Sequence, residues 1–212
     1  MFDCDGTLAD GQAAVCAAMA SAFNAAGLPA PDRAAVRRSV GLSLPQAIAR
    51  LSPEASAEAR AIALDAYKSA FRQARADGSL HEPLYDGIAG LLRRLAQRGW
   101  VLGVATGKSR RGLDACLTTH TIADLFVTLQ TADHHPSKPH PAMLEQAMAE
   151  AGAVPSGTVM IGDTAFDMAM ARSAGARALG VAWGYHEPAE LFAAGAEAVA
   201  SDPAELALLL DG

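Results

Sequence analysis

Cysteine is scarce in this chain. Three thiols, Cys4, Cys16 and Cys116, stand in 212 residues. They lack metal-ligand spacing and are an odd set for a disulfide framework. Their usage fits a reducing compartment, and a cytoplasmic protein is expected. Long apolar runs are also missing. Nothing approaches the roughly 18 residues of a membrane span, and no charged-then-apolar leader opens the chain, so no membrane partner is expected. Positive charge is in short supply: 17 Lys and Arg against 23 Asp and Glu leave a net charge of -6. That excludes the basic footprint of a nucleic-acid binder. Any phosphate the protein handles must be met by local cations.

What is present is globular composition, 51% hydrophobic and 19% charged residues, with an alanine content that favours helix. The length allows one domain, or a core with a smaller inserted one. From Gly11 to about Leu80 the pattern is helical. AAVCAAMASAFNAAG ends at Gly27 with Pro29 and Pro31 beyond, a helix stop. Ser52-Pro53-Glu54-Ala55 reads as a helix start, and Ser39-Val40-Gly41 as a turn. From Pro83 helix and strand alternate: IAGLLRRLAQRG, WVLGVAT, SRRGLDACLTTH, DLFVTLQTAD, PAMLEQAMAEAG, TVMIGD, TAFDMAMARSAG, RALGVAW, EAVAS and PAELALLL. Short apolar strands between helices predict an α/β fold, a three-layer Rossmann-like core whose parallel sheet is covered on both faces. The expected division is a core of residues 1–13 and 82–212, with a helical cap, 14–81, inserted after the first strand.

Ligands bind beyond the carboxyl ends of strands in such sheets. The first strand ends in Asp3-Cys4-Asp5-Gly6-Thr7, where residues i and i+2 share a side. Two carboxylates that close repel unless a cation or a proton lies between them. WVLGVAT ends in Thr106-Gly107-Lys108-Ser109. TVMIGD ends in Gly162-Asp163, with Asp167 four residues on. Ser137-Lys138-Pro139 precedes another helix. Gathered at one sheet edge, these groups suit an anion bridged by a hard cation. Magnesium takes oxygen ligands, here Asp3, Asp163 and the Asp5 backbone carbonyl. One aspartate can attack phosphorus while its neighbour transfers protons. Thr106, the Gly107 amide and Lys138 can stabilise charge on the transferring group.

DCDGT, ATGKS, SKPHP and GDTAFD, in this order and in these strand contexts, resemble the four signature motifs of the haloacid dehalogenase-like hydrolase superfamily. The resemblance covers essentially the whole chain. The insertion resembles a C1-type cap, while VRRSVGLSLPQAI, YDGI and GVAWGYH resemble the phosphoglycolate phosphatase-like branch. This implies Asp3 as nucleophile, Asp5 as general acid/base, and Thr106 and Lys138 as phosphate binders. It implies Asp163 as a magnesium ligand beside Asp3 and Asp5, and Asp167 as a partner of the metal's waters or of Lys138. Dehalogenases of the superfamily lack an acid two residues after the nucleophile, so Asp5 implies a phosphate ester. The expected activity is a magnesium-dependent phosphatase acting on a small soluble phosphomonoester, with phosphoglycolate the first guess, as monomer or homodimer. The alternatives are a phosphomutase of the beta-phosphoglucomutase type and a non-catalytic phosphate-ligand binding module. Relatives carry more apolar residues before the nucleophile. Upstream residues are therefore expected, as is a first strand short of ladder hydrogen bonds.

Other residues carry weaker signals. Lys108, Arg110 and Arg111 crowd a helix N-terminus that disfavours cations, which makes Lys108 a candidate substrate contact. Arg37 and Arg38 precede the SVGLS turn, and Arg38 is a candidate for the substrate's non-phosphate end. His134 and His135, adjacent on a loop, do not read as a shared metal site, and His140 reads as a local turn residue. Cys4, flanked by carboxylates, reads as packing rather than a nucleophile. Trp183, Tyr185 and His186 either line the cleft or cover the sheet edge.

Overall fold

The structure, a computed structural model, describes residues 1–211. Four helices come first: α1 (Gln12–Ala25), α2 (Arg33–Arg37), α3 (Leu44–Leu51) and α4 (Ala57–Ala76). The alternating part follows as α5 (Ile88–Gln97), β1 (Leu102–Thr106), α6 (Arg110–Thr119), β2 (Phe126–Thr131), α7 (Ala142–Glu150), β3 (Val159–Gly162) and α8 (Ala165–Ser173). The chain closes through β4 (Arg177–Val181), α9 (Pro188–Ala194), β5 (Ala198–Ala200) and α10 (Pro203–Asp211).

Every strand pair is parallel: β1 with β2, β3 with β4, and β4 with β5. Phe2 joins the two sets, bridging Val104 of β1 on one side and Ile161 of β3 on the other. The order is β2, β1, Phe2, β3, β4, β5, so the chain winds outward both ways from its own beginning. The short central segment is well held. Phe2 N–H donates to Gly103 O and Ala105 N–H to Phe2 O, both at 2.9 Å. Asp3 N–H donates to Ile161 O at 2.9 Å and Ile161 N–H to Met1 O at 2.8 Å. Each neighbour bonds it through two hydrogen bonds.

Alternation along the strands builds the two faces, because successive side chains point oppositely. Phe2, Val104, Ile161 and Leu179 pack with α5, α6 and α10 residues such as Leu91, Leu117 and Leu206. Met1, Ala105, Met160 and Ala178 pack the other way, on Met143, Met168 and Leu191 of α7, α8 and α9. This is the three-layer arrangement that the strand lengths predict. Helix ends follow their residues. Gly27 stands at φ +66° after α1, and Leu28 N–H reaches back to Phe23 O at 2.9 Å.

Two readings are corrected. Ser52 closes α3, its hydroxyl bonded to Ile48 O at 2.7 Å, and Ser56 caps α4 through Ala59 N–H. α9 is an extra helix between RALGVAW and EAVAS, signalled by Pro188 at its first position and by the Glu187/Glu190 capping box.

α1 to α4 pack on one another around Val15, Met19, Phe23, Val36 and Ile48, a cluster separate from the two sheet faces. The two connections to this helical segment run side by side. Ala9 and Leu84 form an antiparallel bridge, Asp10 N–H donates to Pro83 O at 2.8 Å, and Tyr85 N–H donates to Leu8 O at 3.1 Å. The helices thus rise from one point beside Asp5. They lie over the carboxyl ends of the sheet strands, with a cavity lined by both parts between them.

Candidate active site

Phe2, β1 and β3 all end at the same edge, so Asp3, Thr106 and Asp163 meet there. The turn after Asp3 needs glycine. Gly6 has φ +88°, and a β-carbon there would lie 2.2 Å from Asp163 Oδ2. Beside it, Thr7 Oγ1 donates to Asp163 Oδ1 at 2.7 Å, and Tyr185 N–H donates to Asp163 Oδ2 at 2.9 Å. Asp167 sits in the first turn of α8. Its Oδ2 accepts from Thr164 N–H at 3.1 Å and from Thr164 Oγ1 at 2.6 Å, a reciprocal cap that fixes the carboxylate.

Lys138 is fully buried and lies between acids, its Nζ 2.6 Å from Asp167 Oδ1 and 3.0 Å from Asp3 Oδ1. Burial opposes its charge, but Asp167 and Asp3 outweigh it and hold the ammonium above the ordinary lysine range. One ammonium faces three carboxylates. Oxygens of Asp3, Asp163 and Asp167 all lie within 4.8 Å of one another. Burial, then the Asp3 and Asp167 charges, push Asp163 well above the carboxylate range. Burial also lifts Asp3 to about 6, against the pull of Lys138. Asp3 Oδ2 is buried with no partner, although Oδ1 accepts from Cys4 N–H at 2.7 Å. Surplus negative charge and an orphaned carboxylate oxygen, in an all-oxygen donor set, fit a hard divalent cation such as magnesium.

Lys108 makes a second cluster. Its Nζ is 2.8 Å from Asp5 Oδ1 and 2.6 Å from Glu82 Oε1. Burial opposes its charge too, and Asp5 and Glu82 more than restore it. Its backbone N–H donates to Thr106 Oγ1 at 3.2 Å. Gly107 touches the helical segment, since a β-carbon there would stand 2.7 Å from both Gly41 O and Leu42 O. A cavity of about 530 Å³ opens above Asp3, Asp5, Thr106, Gly107 and Lys108, and its far wall is built by α1, α3 and α4.

Eight of the residues singled out in the sequence therefore come together: Asp3, Asp5, Thr106, Gly107, Lys108, Lys138, Asp163 and Asp167. Arg38 does not. Its side chain is exposed, pairs with Glu190 at 3.2 Å and lies outside the cavity lining. Arg37 contacts Gln12, Gly184 O and the Tyr185 ring instead. Glu82 escapes a sequence reading, while Thr7 and Thr164 are visible only as parts of DCDGT and GDTAFD. Trp183 and Tyr185 brace the acid loop, Trp183 Nε1 donating to Thr7 O at 3.1 Å. His135 bonds Gln130, and His140 accepts from Ala142 N–H in its own turn. Cys4 is buried against Cys116, which together with burial pushes its thiol well up.

A family model described as haloacid dehalogenase-like hydrolase matches residues 1–181. The probable phosphatase IndB of Dickeya dadantii is 34% identical over 92% of this chain and 85% of that protein. A phosphoglycolate phosphatase of Vibrio vulnificus is 31% identical, covering 97% and 92%. A solved haloacid dehalogenase-like hydrolase of Streptococcus pneumoniae superposes with a TM-score of 0.85 at 27% identity, over 99% of this chain and 96% of that one.

Proposed function

The chain belongs to the haloacid dehalogenase-like hydrolases and is a phosphoric monoester hydrolase of their phosphoglycolate phosphatase-like branch, and from that premise we propose that it cleaves a small phosphomonoester with magnesium, through an aspartyl-phosphate on Asp3. The observation that carries the reading is Asp3 itself. It is a sealed carboxylate with one free oxygen, held by Lys138 at 3.0 Å and backed by two further acids. Asp3, Asp163 and the Asp5 backbone carbonyl would hold magnesium, with Asp167 behind through Lys138. The bound ion supplies positive charge that offsets the acids' repulsion and the phosphoryl oxygens' charge.

The residues divide the reaction. An Asp3 carboxylate oxygen attacks phosphorus, and the bond to the ester oxygen breaks. The leaving alkoxide takes a proton from Asp5, which Lys108 orients at 2.8 Å. Asp5, now ionised, deprotonates a water that attacks the aspartyl-phosphate, releasing phosphate and regenerating Asp3. Thr106, the Gly107 amide and Lys138 stabilise the transferring oxygens. The helical segment, residues 14–81, acts as a cap that keeps water out during the first transfer, moving about the paired strands at Ala9 and Leu84. Among the described residues no helix is long and apolar enough to cross a membrane. All three cysteines are free thiols, which supports a cytoplasmic location.

A Vibrio relative is named a phosphoglycolate phosphatase, and phosphoglycolate is the first substrate to assay. The test is phosphate release over a panel of esters with and without magnesium. Release is expected only with the metal and with Asp3 intact. Turnover that survives Asp3→Ala, or that persists in excess chelator, sinks the mechanism. Formation of a sugar-phosphate isomer instead of free phosphate makes the protein a mutase.

A further inference from the structure

The wall of the cavity opposite the acids has a composition of its own. Val15 and Met19 of α1, Leu44 of α3, and Tyr67 and Phe71 of α4 give it an apolar surface. Tyr67 and Phe71 lie one turn apart with ring centroids 5.0 Å from each other, and the Phe71 ring is 5.9 Å from Lys108 Nζ. This surface is therefore continuous with the Asp5 cluster. One residue further along α4 on each turn stand Lys68 and Arg72, which also line the cavity.

These two cations, like Arg111 of α6, which also lines the cavity, lack what Lys138, Lys108 and Arg75 have. Lys138, Lys108 and even Arg75, 4.0 Å from Glu82, are matched to carboxylates. Neither Lys68 nor Arg72 forms an ion pair among the described residues, although Glu58 and Asp65 lie on the same helix. Positions i, i+4 and i+7 fall on one helix face, so Lys68, Arg72 and Arg75 stack like charges at a cost of a few tenths of a kcal/mol per pair. A protein of net charge -6 thus keeps uncompensated positive charge at its reaction cavity. The volume, about 530 Å³, is in the range of sites for whole small ligands and exceeds what a two-carbon ester fills.

We propose that Lys68 and Arg72 form an anion subsite on the insertion side of the cavity. The substrate is then a phosphomonoester whose alcohol carries an apolar or ring-shaped body and, beyond it, a second anionic group. The phosphate lies at Thr106 and Gly107, the body against Val15, Met19, Tyr67 and Phe71, and the second anion at Lys68 and Arg72. The inference rests on the phosphatase reading and adds the identity of the leaving group's far end. Arg72 offers a planar fork to a carboxylate or phosphoryl group, while Lys68 offers a point charge.

The experiment compares kcat/KM, with magnesium, for phenyl phosphate, 4-carboxyphenyl phosphate and 4-phosphonophenyl phosphate. At least one anionic ester is expected to exceed phenyl phosphate by about tenfold, and the better of the two names the group. In the Lys68→Ala/Arg72→Ala variant that ratio is expected to collapse to near one, mainly through KM. Both side chains are exposed, and alanine suits a helix, so circular dichroism should report an unchanged fold. Equal rates on all three esters overturn the inference. So does a preference that survives the double substitution, or a loss that falls equally on phenyl phosphate. Failure of the parent protein to hydrolyse any of the three overturns the phosphatase reading and the inference with it.

Discussion

Two lysines of this protein each sit between two carboxylates, and the surroundings give them different work. Lys138 belongs wholly to the core. It touches Asp3 and Asp167, neither it nor they meet solvent appreciably, and Asp163 adds a third acid with no cation of its own. Lys108 touches Asp5 and Glu82, where the side chains keep 7–15% exposure and where Arg75 lies 4.0 Å from Glu82 to extend an alternating chain of charge. The first cluster is short of positive charge and the second is balanced. A site that must take up a cation is built with an electrostatic deficit, whereas a joint between two parts of a chain is built neutral.

The deficit makes the first cluster the sensitive one. Asp3→Asn removes the proposed nucleophile while keeping its shape, and kcat is expected to fall at least about 10⁴-fold, above 5 kcal/mol of barrier. Stopped assays of phosphate release measure this. Lys138→Met removes the cation that, among the described residues, stands alone against three buried acids. Breaking a buried pair that way costs on the order of 3–5 kcal/mol, so urea unfolding should lose much of its midpoint, with activity lost as well. Lys108→Met, at acids whose side chains keep 7–15% exposure, is expected to cost less, on the order of 1–3 kcal/mol. Equal losses for the two lysine variants would erase the contrast.

The same deficit sets a pH dependence. Asp3 is raised to about 6, so the folded protein binds a proton there that the unfolded chain has released. Stability from this group is present below the unfolded value near 4 and is lost as pH rises through about 6. Without metal, the melting temperature should rise as pH is lowered from 7 to 5, a gain of roughly 1 kcal/mol from this group. Saturating magnesium should flatten that slope and raise the melting temperature at pH 7, since a ligand at a hundred times its Kd adds about 2.7 kcal/mol. A slope that magnesium leaves unchanged would detach the acids from metal binding.

The first cluster was also the legible one. Asp3, Asp163 and Thr106 each end an apolar strand, and in a doubly wound sheet strand ends converge whatever the rest of the chain does. Lys138 and Asp167 stand at helix starts beside them. The second cluster could be only half read, because Glu82 lies where the insertion rejoins the core and no periodicity marks which side of that connection meets Lys108. Arg38 misled for a related reason. It follows a five-residue helix, and the rotation of so short an element decides whether its side chain reaches the cavity or, as here, Glu190. On α4 Lys68 and Arg72 directly follow the cavity-lining Tyr67 and Phe71 and are themselves exposed, so hydrophobic patterning could not separate them from ordinary surface charge.

Glu82→Gln is the gentlest way to probe the balanced cluster. The amide keeps the size of the side chain and a bond from Lys108 through its carbonyl oxygen, but it removes one of two negative charges on that lysine. Lys108 then leans on Asp5 alone, 2.8 Å away, and Asp5 is the group proposed to hand a proton to the leaving oxygen. A tighter contact with Lys108 holds the Asp5 carboxyl back from the leaving oxygen in the first step. Esters with poor leaving groups, which need that proton, should slow by about three- to tenfold, while p-nitrophenyl phosphate, whose phenolate leaves unaided, should slow far less. Stability should change by less than about 1 kcal/mol, as expected for a partly solvated pair. If both ester types slow alike, Glu82 serves only to fasten the insertion to the core.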